Sequence, residues 1–224
     1  MIIVFNIETI ADEEAPQSLL PDEPIFEQMR APISYKDPQK IGEYMQKAFD
    51  KAKTDRDEEI SKFSLQPLTS KIVALSYKDH PDGEVVDLFG PDEKLILTQF
   101  AKVFNSPQRI CTYNGKSFDI PHLAIAYMRS GISIPFALGR YLRRYDTDSH
   151  IDIYELLSFF GEHKKGTLGD WSERLGMSRP FGKGTMVKEW YEQNNFENIR
   201  HHCHDNVVCT DYLLGKLAQG MFLI

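Results

Sequence analysis

The chain opens on a continuous apolar run, Ile2-Ile3-Val4-Phe5, that gives way to Asn6-Ile7-Glu8. An apolar run without alternation predicts a strand buried on both faces, in the middle of a sheet. From Asp12 to about Ser70 the pattern turns polar and is broken by Pro16, Pro21, Pro24, Pro32 and Pro38, which marks an insertion after the first strand. Inside it Ile41, Tyr44, Met45, Ala48, Phe49 and Ala52 recur at helical spacing and predict one helix.

Regular patterning resumes at Ile72 to Tyr77, followed by a turn at Asp79 to Gly83 and a second extended run at Glu84 to Phe89, the signature of a hairpin. A helix is expected from Asp92 to Phe104, a strand at Arg109 to Tyr113, and a helix from Ile120 to Met128. A short strand ends near Asp152, and helices then take over near Ile153 to Phe160, Thr167 to Leu175, Met186 to Tyr191 and Ile199 to Gln219. Three strands, then alternating helices and strands, then a helical end describe a mixed α/β sheet flanked by helices. The 224 residues suffice for one domain with one core, spanning 1 to 224.

Composition narrows the class only a little. Three cysteines, Cys111, Cys203 and Cys209, form no framework of paired thiols and fit a reducing compartment, so the cytoplasm is the expected location. The N-terminus lacks a basic leader, and no apolar run reaches the roughly 18 residues of a membrane helix. A net charge of -7 argues against holding nucleic acid by bulk electrostatics alone. It is compatible with a carboxylate site that divalent cations neutralise locally.

Three segments carry candidate chemistry. Residues two apart in a strand share a face, so Asn6 and Glu8 project together; by themselves they read as polar residues at a strand end. In Tyr113-Asn114-Gly115-Lys116-Ser117-Phe118-Asp119-Ile120-Pro121, Asn-Gly predicts a turn, Asp119 a helix N-cap and Pro121 a first helical turn. That segment ends a strand expected beside the first, which brings Asp119 toward Glu8. On the last helix Ile199, Cys203, Val207, Leu214, Leu217 and Met221 form an apolar stripe, edged by His202 and Asn206. The density of His and Cys from His201 to His204 raises zinc as a rival, but consecutive residues point around the whole helix and do not converge on one ion.

Together these segments resemble the three motifs of the DEDD (DnaQ-like) 3′–5′ exonuclease superfamily, whose domains have a ribonuclease-H-like fold. The nearest likeness is to the predicted 3′–5′ exonucleases related to the proofreading domain of B-family DNA polymerases. It extends over Phe5 to Thr9, Leu65 to Ala74, Tyr113 to Pro121, His150 to Leu157, Thr167 to Gly176 and the final helix. The resemblance implies a five-stranded mixed sheet, with three antiparallel strands and then parallel additions. It also implies hydrolysis at single-stranded 3′ ends, of DNA rather than RNA, by a two-metal mechanism using Mg or Mn.

The resemblance further places the family's metal ligands on Asn6, Glu8, Asp119 and Asn206, and its nucleotide contacts on Ile7, Glu8, Thr9, Asn114 and Phe118. For the general base of the third motif, His201 has the spacing of the His subclass and is the first choice. His202 takes the usual Tyr position and is the second. Arg140, Arg143, Arg144, Lys183 and Lys188 are candidate phosphate contacts, and a solvated basic face explains each equally well.

Two of the four metal positions are therefore amides, which bring oxygen but no charge, so cation affinity and catalysis are expected to be impaired. Both are isosteric with Asp in otherwise intact motifs, which points to engineered Asp-to-Asn replacement. One alternative is a natural pseudo-exonuclease that binds nucleic acid or protein. Another is a small helix shift that brings Asp205 into the place of Asn206.

Overall fold

The computed structural model describes residues 2–104, 109–133, 138–143, 145–163 and 166–220. Five strands form one mixed sheet: β1 (Ile2–Ala11), β2 (Ser70–His80), β3 (Val85–Phe89), β4 (Arg109–Thr112) and β5 (His150–Asp152), in the order β3-β2-β1-β4-β5. β1 pairs antiparallel with β2 and β2 with β3, whereas β4 runs parallel to β1 and β5 parallel to β4. This is the ribonuclease-H-like arrangement expected from the sequence, and the apolar opening run is its central strand.

Seven α-helices flank the sheet among the described residues: α1 (Pro38–Ser61), α2 (Glu93–Phe104), α3 (Asp119–Ser130), α4 (Ile153–Leu157), α5 (Leu168–Arg174), α6 (Val187–Glu192) and α7 (Phe196–Gly220). Strand alternation divides the packing. Ile3, Phe5 and Ile7 join Ile96, Leu97, Phe100 and Phe104 of α2 and Leu123 and Tyr127 of α3 in the larger core. On the other face of β1, Val4 packs with Val207 and Leu214, and Ile10 with Ile199 and Cys203, all four from α7. Asn6 and Glu8 lie between Val4 and Ile10 on that helix-covered face, a polar window in an apolar seam.

Element ends differ from expectation where local bonding decides. β1 runs on to Ala11 instead of ending at Glu8, because β2 accompanies it past a register shift between Glu8 and Thr9. The shift leaves Val73 unmatched, and its carbonyl accepts from the Gly90 amide at 3.0 Å. α4 stops at Leu157 instead of Phe160, since Phe159 and Phe160 both turn left-handed, with φ of 50° and 57°. In the insertion, α1 is longer than its apolar residues indicate: Asp37 caps it by accepting from the Gln39 amide, and Pro38 opens it. None of its residues is buried, and its apolar edge is satisfied locally by the Phe26–Phe49 and Tyr35–Tyr44 ring pairs. Met221 and Arg144, named above, lie outside the described residues. Among the described residues no helix is long and apolar enough to cross a membrane.

The Asn-Gly turn after β4 is held by a buried relay. The His150 ring donates from Nδ1 to the Tyr141 carbonyl at 2.8 Å. Its Nε2 therefore accepts from the Thr112 hydroxyl, also at 2.8 Å. Thr112 Oγ1 in turn accepts from the Gly115 amide at 3.0 Å. Burial pushes the His150 pKa down to about 4, which keeps the ring in the neutral form that this relay requires. Asn114 takes the left-handed conformation of the turn, with φ of 66°, while Gly115 allows close approach: a Cβ there would fall 2.1 Å from Thr112 Oγ1. Gly115→Ala is accordingly expected to cost about 1–3 kcal/mol of overpacking and turn distortion, read as a lower urea midpoint with unchanged slope.

Candidate active site

Three elements meet at the polar window. β1 presents Asn6 and Glu8, α7 crosses above them with His202, Cys203 and Asn206, and the first residue of α3 supplies Asp119. The window sits where β4 no longer accompanies β1, since their pairing covers only Ile2 to Val4. The Ile7 amide beyond it takes its acceptor from a side chain: Asp119 Oδ1 lies 3.0 Å away. Asp119 thus opens α3 and reaches across to β1, whereas the sequence pattern made it the helix cap; Phe118 occupies the cap position and forms no capping side-chain bond.

Glu8 is the hub. Its Oε1 accepts from Asn6 Nδ2 at 2.9 Å and from Asn206 Nδ2 at 3.0 Å, and His202 Nε2 lies 3.4 Å away. Asn206 Nδ2 is also 3.3 Å from His202 Nε2. Cys203 ties the helix to the strand, donating from Sγ to the Asn6 carbonyl at 3.3 Å. His202 and Asn206 share a helix face by their spacing of four.

His201, the first choice for the base, lies one residue and about 100° away on that helix. It is turned outward, stacked on Phe181 with ring centroids 4.5 Å apart. Asp205 does not take the place of Asn206: its Oδ2 accepts from the Phe181 amide at 2.9 Å, on a different side of the helix.

Burial sets the electrostatics. It raises the Glu8 carboxyl above its ordinary value, and His202 and the two amide donors offset this only in part. Asp119 is raised further: burial dominates, the Ile7 amide opposes it, and the nearby Asp152 and Glu8 charges add to it. Burial, with Glu8 nearby, also pushes up the Cys203 thiol, so it stays a protonated hydrogen-bond donor.

Other expected contacts are placed as follows. The Ile7 side chain is in the core, and the Thr9 hydroxyl donates to the Ser64 carbonyl at 2.6 Å. Phe118 packs on the His122 ring at 4.2 Å. The Asn114 amide donates to Asp152 at 2.8 Å. Arg140 bonds Ser149, Lys188 pairs with Glu192 at 3.7 Å, and Arg143 and Lys183 are exposed.

Asp152 is a site residue that pattern reading missed. Fully buried, it accepts from the amides of Asn114, Lys116 and Tyr154, and so clamps the turn that leads to Asp119. Its position at a strand end, one residue before an apolar helix, is the cap signal that marked it.

The residues present do not fit a pair of divalent cations. Two carboxylates stand where four are implied, and the near oxygen of Glu8 already accepts two amide donors. Among the described residues no three His, Cys, Asp or Glu side chains converge as a metal group. Two buried carboxylates whose desolvation outweighs the support of their neighbours work against folding at neutral pH. A carboxyl whose folded value is raised supports the fold below its ordinary value and loses that support as pH rises through the raised one. Asp119→Asn keeps an oxygen for the Ile7 amide and removes the charge. It is expected to stabilise the chain at pH 8 in chelator by about 1–3 kcal/mol, the desolvation cost of a buried polar group. The gain should shrink toward pH 4 in denaturant titrations.

Comparison with known proteins adds the family. The fold is similar to that of the family B DNA polymerase from the hyperthermophilic archaeon Pyrobaculum calidifontis, with a TM-score of 0.61 and 20% identity over 96% of this chain. The chain spans 24% of that polymerase. No curated protein matches the sequence. Residues 61–221, which include Asp119, His202 and Asn206 but not Asn6 and Glu8, match a family description. The chain belongs to that family, the predicted 3′–5′ exonucleases related to the exonuclease domain of PolB.

Proposed function

We propose that the protein engages single-stranded DNA 3′ ends as a 3′–5′ exonuclease domain whose cutting is disabled by the amides at positions 6 and 206. The carrying observation is that Asn206 of α7 bonds Glu8 on β1 while Asp119 of α3 bonds the neighbouring Ile7 amide, so three distant parts of the chain meet at this strand. Carboxylates at 6 and 206 would complete a four-acid set. Mg or Mn held by such a set would supply charge neutralisation and water activation.

His202, rather than His201, is proposed as the residue that takes a proton from the attacking water. Its Nε2 faces Glu8 and position 206, while the His201 ring faces outward. The backbone of the Ile7 to Thr9 edge, Phe118 and Asn114 would hold the terminal nucleotide. Sequence-independent gripping of a single strand relies on such aromatic and backbone contacts.

One observation favours a second reading. Asn6 and Asn206 both turn amide donors onto Glu8, so the cluster is hydrogen-bonded without any cation. That suits a nuclease fold that binds without cutting. The two readings part in a single assay, degradation of a 3′-labelled oligonucleotide by the N6D/N206D variant with Mg or Mn. The exonuclease reading expects progressive 3′ shortening at least about a hundredfold faster than by the chain as given, a barrier change of roughly 2.7 kcal/mol. An inert double variant that still binds the oligonucleotide supports the binding module, and efficient cutting by the unaltered chain overturns the metal assignment. In the active background, His202→Ala should lower kcat by about 10²–10⁴, and His201→Ala far less.

A further inference from the structure

Phe181 contacts the proposed base, and Asp205 contacts Phe181. The segment Ser178 to Lys183 passes alongside α7 and is fixed there at Phe181. The Phe181 ring is sandwiched between Trp190, at 5.6 Å and 13°, and His201, at 4.5 Å and 9°. Its amide donates to Asp205 Oδ2 at 2.9 Å, and its carbonyl accepts from His202 Nδ1. The next residue, Gly182, has φ of 67°, and a Cβ there would fall 2.4 Å from the Trp190 ring. Ring stacking, a charge-assisted amide bond and a glycine-dependent turn thus all constrain one peptide group.

A carbonyl can only accept, so its bond with His202 requires the proton on Nδ1. In the neutral ring this leaves the Nε2 lone pair toward Asn206 Nδ2, 3.3 Å away, and the Glu8 carboxylate. Were the Phe181 peptide free to rotate, the ring would lose the partner that selects its tautomer and the contact that sets its angle. A histidine acting through one nitrogen depends on what the other nitrogen bonds.

We propose that Asp205 is a positioning residue: by holding the Phe181 peptide it makes the Phe181 carbonyl fix the tautomer and direction of His202. Asp205 accepts from the Phe181 amide and lies 3.6 Å from His201 Nε2; it acts on His202 through the intervening peptide. The proposal deepens the exonuclease reading, on which its catalytic arm rests, but its spectroscopic arm stands apart from that reading.

The first arm uses the chain as given, with ¹⁵N-labelled histidine and His202→Gln to assign the signal. Nitrogen shifts should report His202 protonated on Nδ1 at a pH where the ring is neutral. Asp205→Ala should convert this to a mixture of tautomers, and Asp205→Asn, whose oxygen still accepts the Phe181 amide, should restore it. Gly182→Ala displaces the same peptide from its Trp190 side and should reproduce the mixture, which keeps the test decisive if Asp205→Ala folds poorly.

The second arm uses the N6D/N206D background. There D205A should lower kcat about tenfold with little change in KM, the scale on which partners of an active-site imidazole act. D205N should recover most of the loss. An unchanged His202 tautomer in both D205A and G182A, or D205N as damaging as D205A, overturns the proposal. An inert N6D/N206D chain with the predicted tautomer change overturns the exonuclease reading and leaves the positioning role standing.

Discussion

A carboxylate on the helix-covered face of a buried central strand must find its partners across the sheet or on the covering helix. Glu8 is that carboxylate, and the arrangement around it follows from the need to satisfy it. Val4 and Ile10 pack against α7 on either side, so the helix cannot lift away, and the polar residues between them are pressed together. Asn6, Asn206 and His202 supply the donors and the near neighbour that Glu8 needs. The same seam that stabilises the fold therefore creates the polar cluster, at a cost in desolvation visible in the raised carboxyl.

A second constraint is the early end of β4. Its absence beyond Val4 leaves the Ile7 amide to a side chain, and Asp119 takes it. That one bond links the start of α3 to the centre of the sheet. Behind it, Asp152 and the Thr112–His150–Tyr141 relay hold the turn that delivers Asp119. Residues with no direct part in chemistry thus determine where the acid stands. Phe181 and Asp205 do comparable work on the opposite side of the window, where they set the proposed base.

Much of this was legible in the chain because short-range physics writes it there. The unalternating run at Ile2 to Phe5 read as an inner strand, the turn residues between Tyr77 and Glu84 announced a hairpin, and the spacing of four between His202 and Asn206 put both on one helix edge. Element ends were less legible: β1 outlasts its apolar run because β2 continues beside it, and α4 stops early at two left-handed phenylalanines whose residue type gives no sign of it. The choice between His201 and His202 was likewise open in the sequence. Adjacent residues differ by a rotation about the helix, and only the orientation of α7 over β1 says which one faces Glu8.

By itself the sequence determined a mixed sheet flanked by helices, the order of its elements and the short list of polar residues with chemical potential, since these depend on periodicity and on motifs local in the chain; the ribonuclease-H-like class came from the resemblance those motifs carry. The tertiary structure alone decided that Asp119 bonds the Ile7 amide instead of capping its helix, that Asp205 serves Phe181 instead of replacing Asn206, and that Asp152 clamps the turn between them. Each of those bonds joins residues far apart in the chain or on separate elements. Their partners are chosen by which backbone amides the fold leaves unpaired, in the sheet at Ile7 and in turns and loops at Asn114, Lys116 and Phe181, and no local pattern of side chains records that.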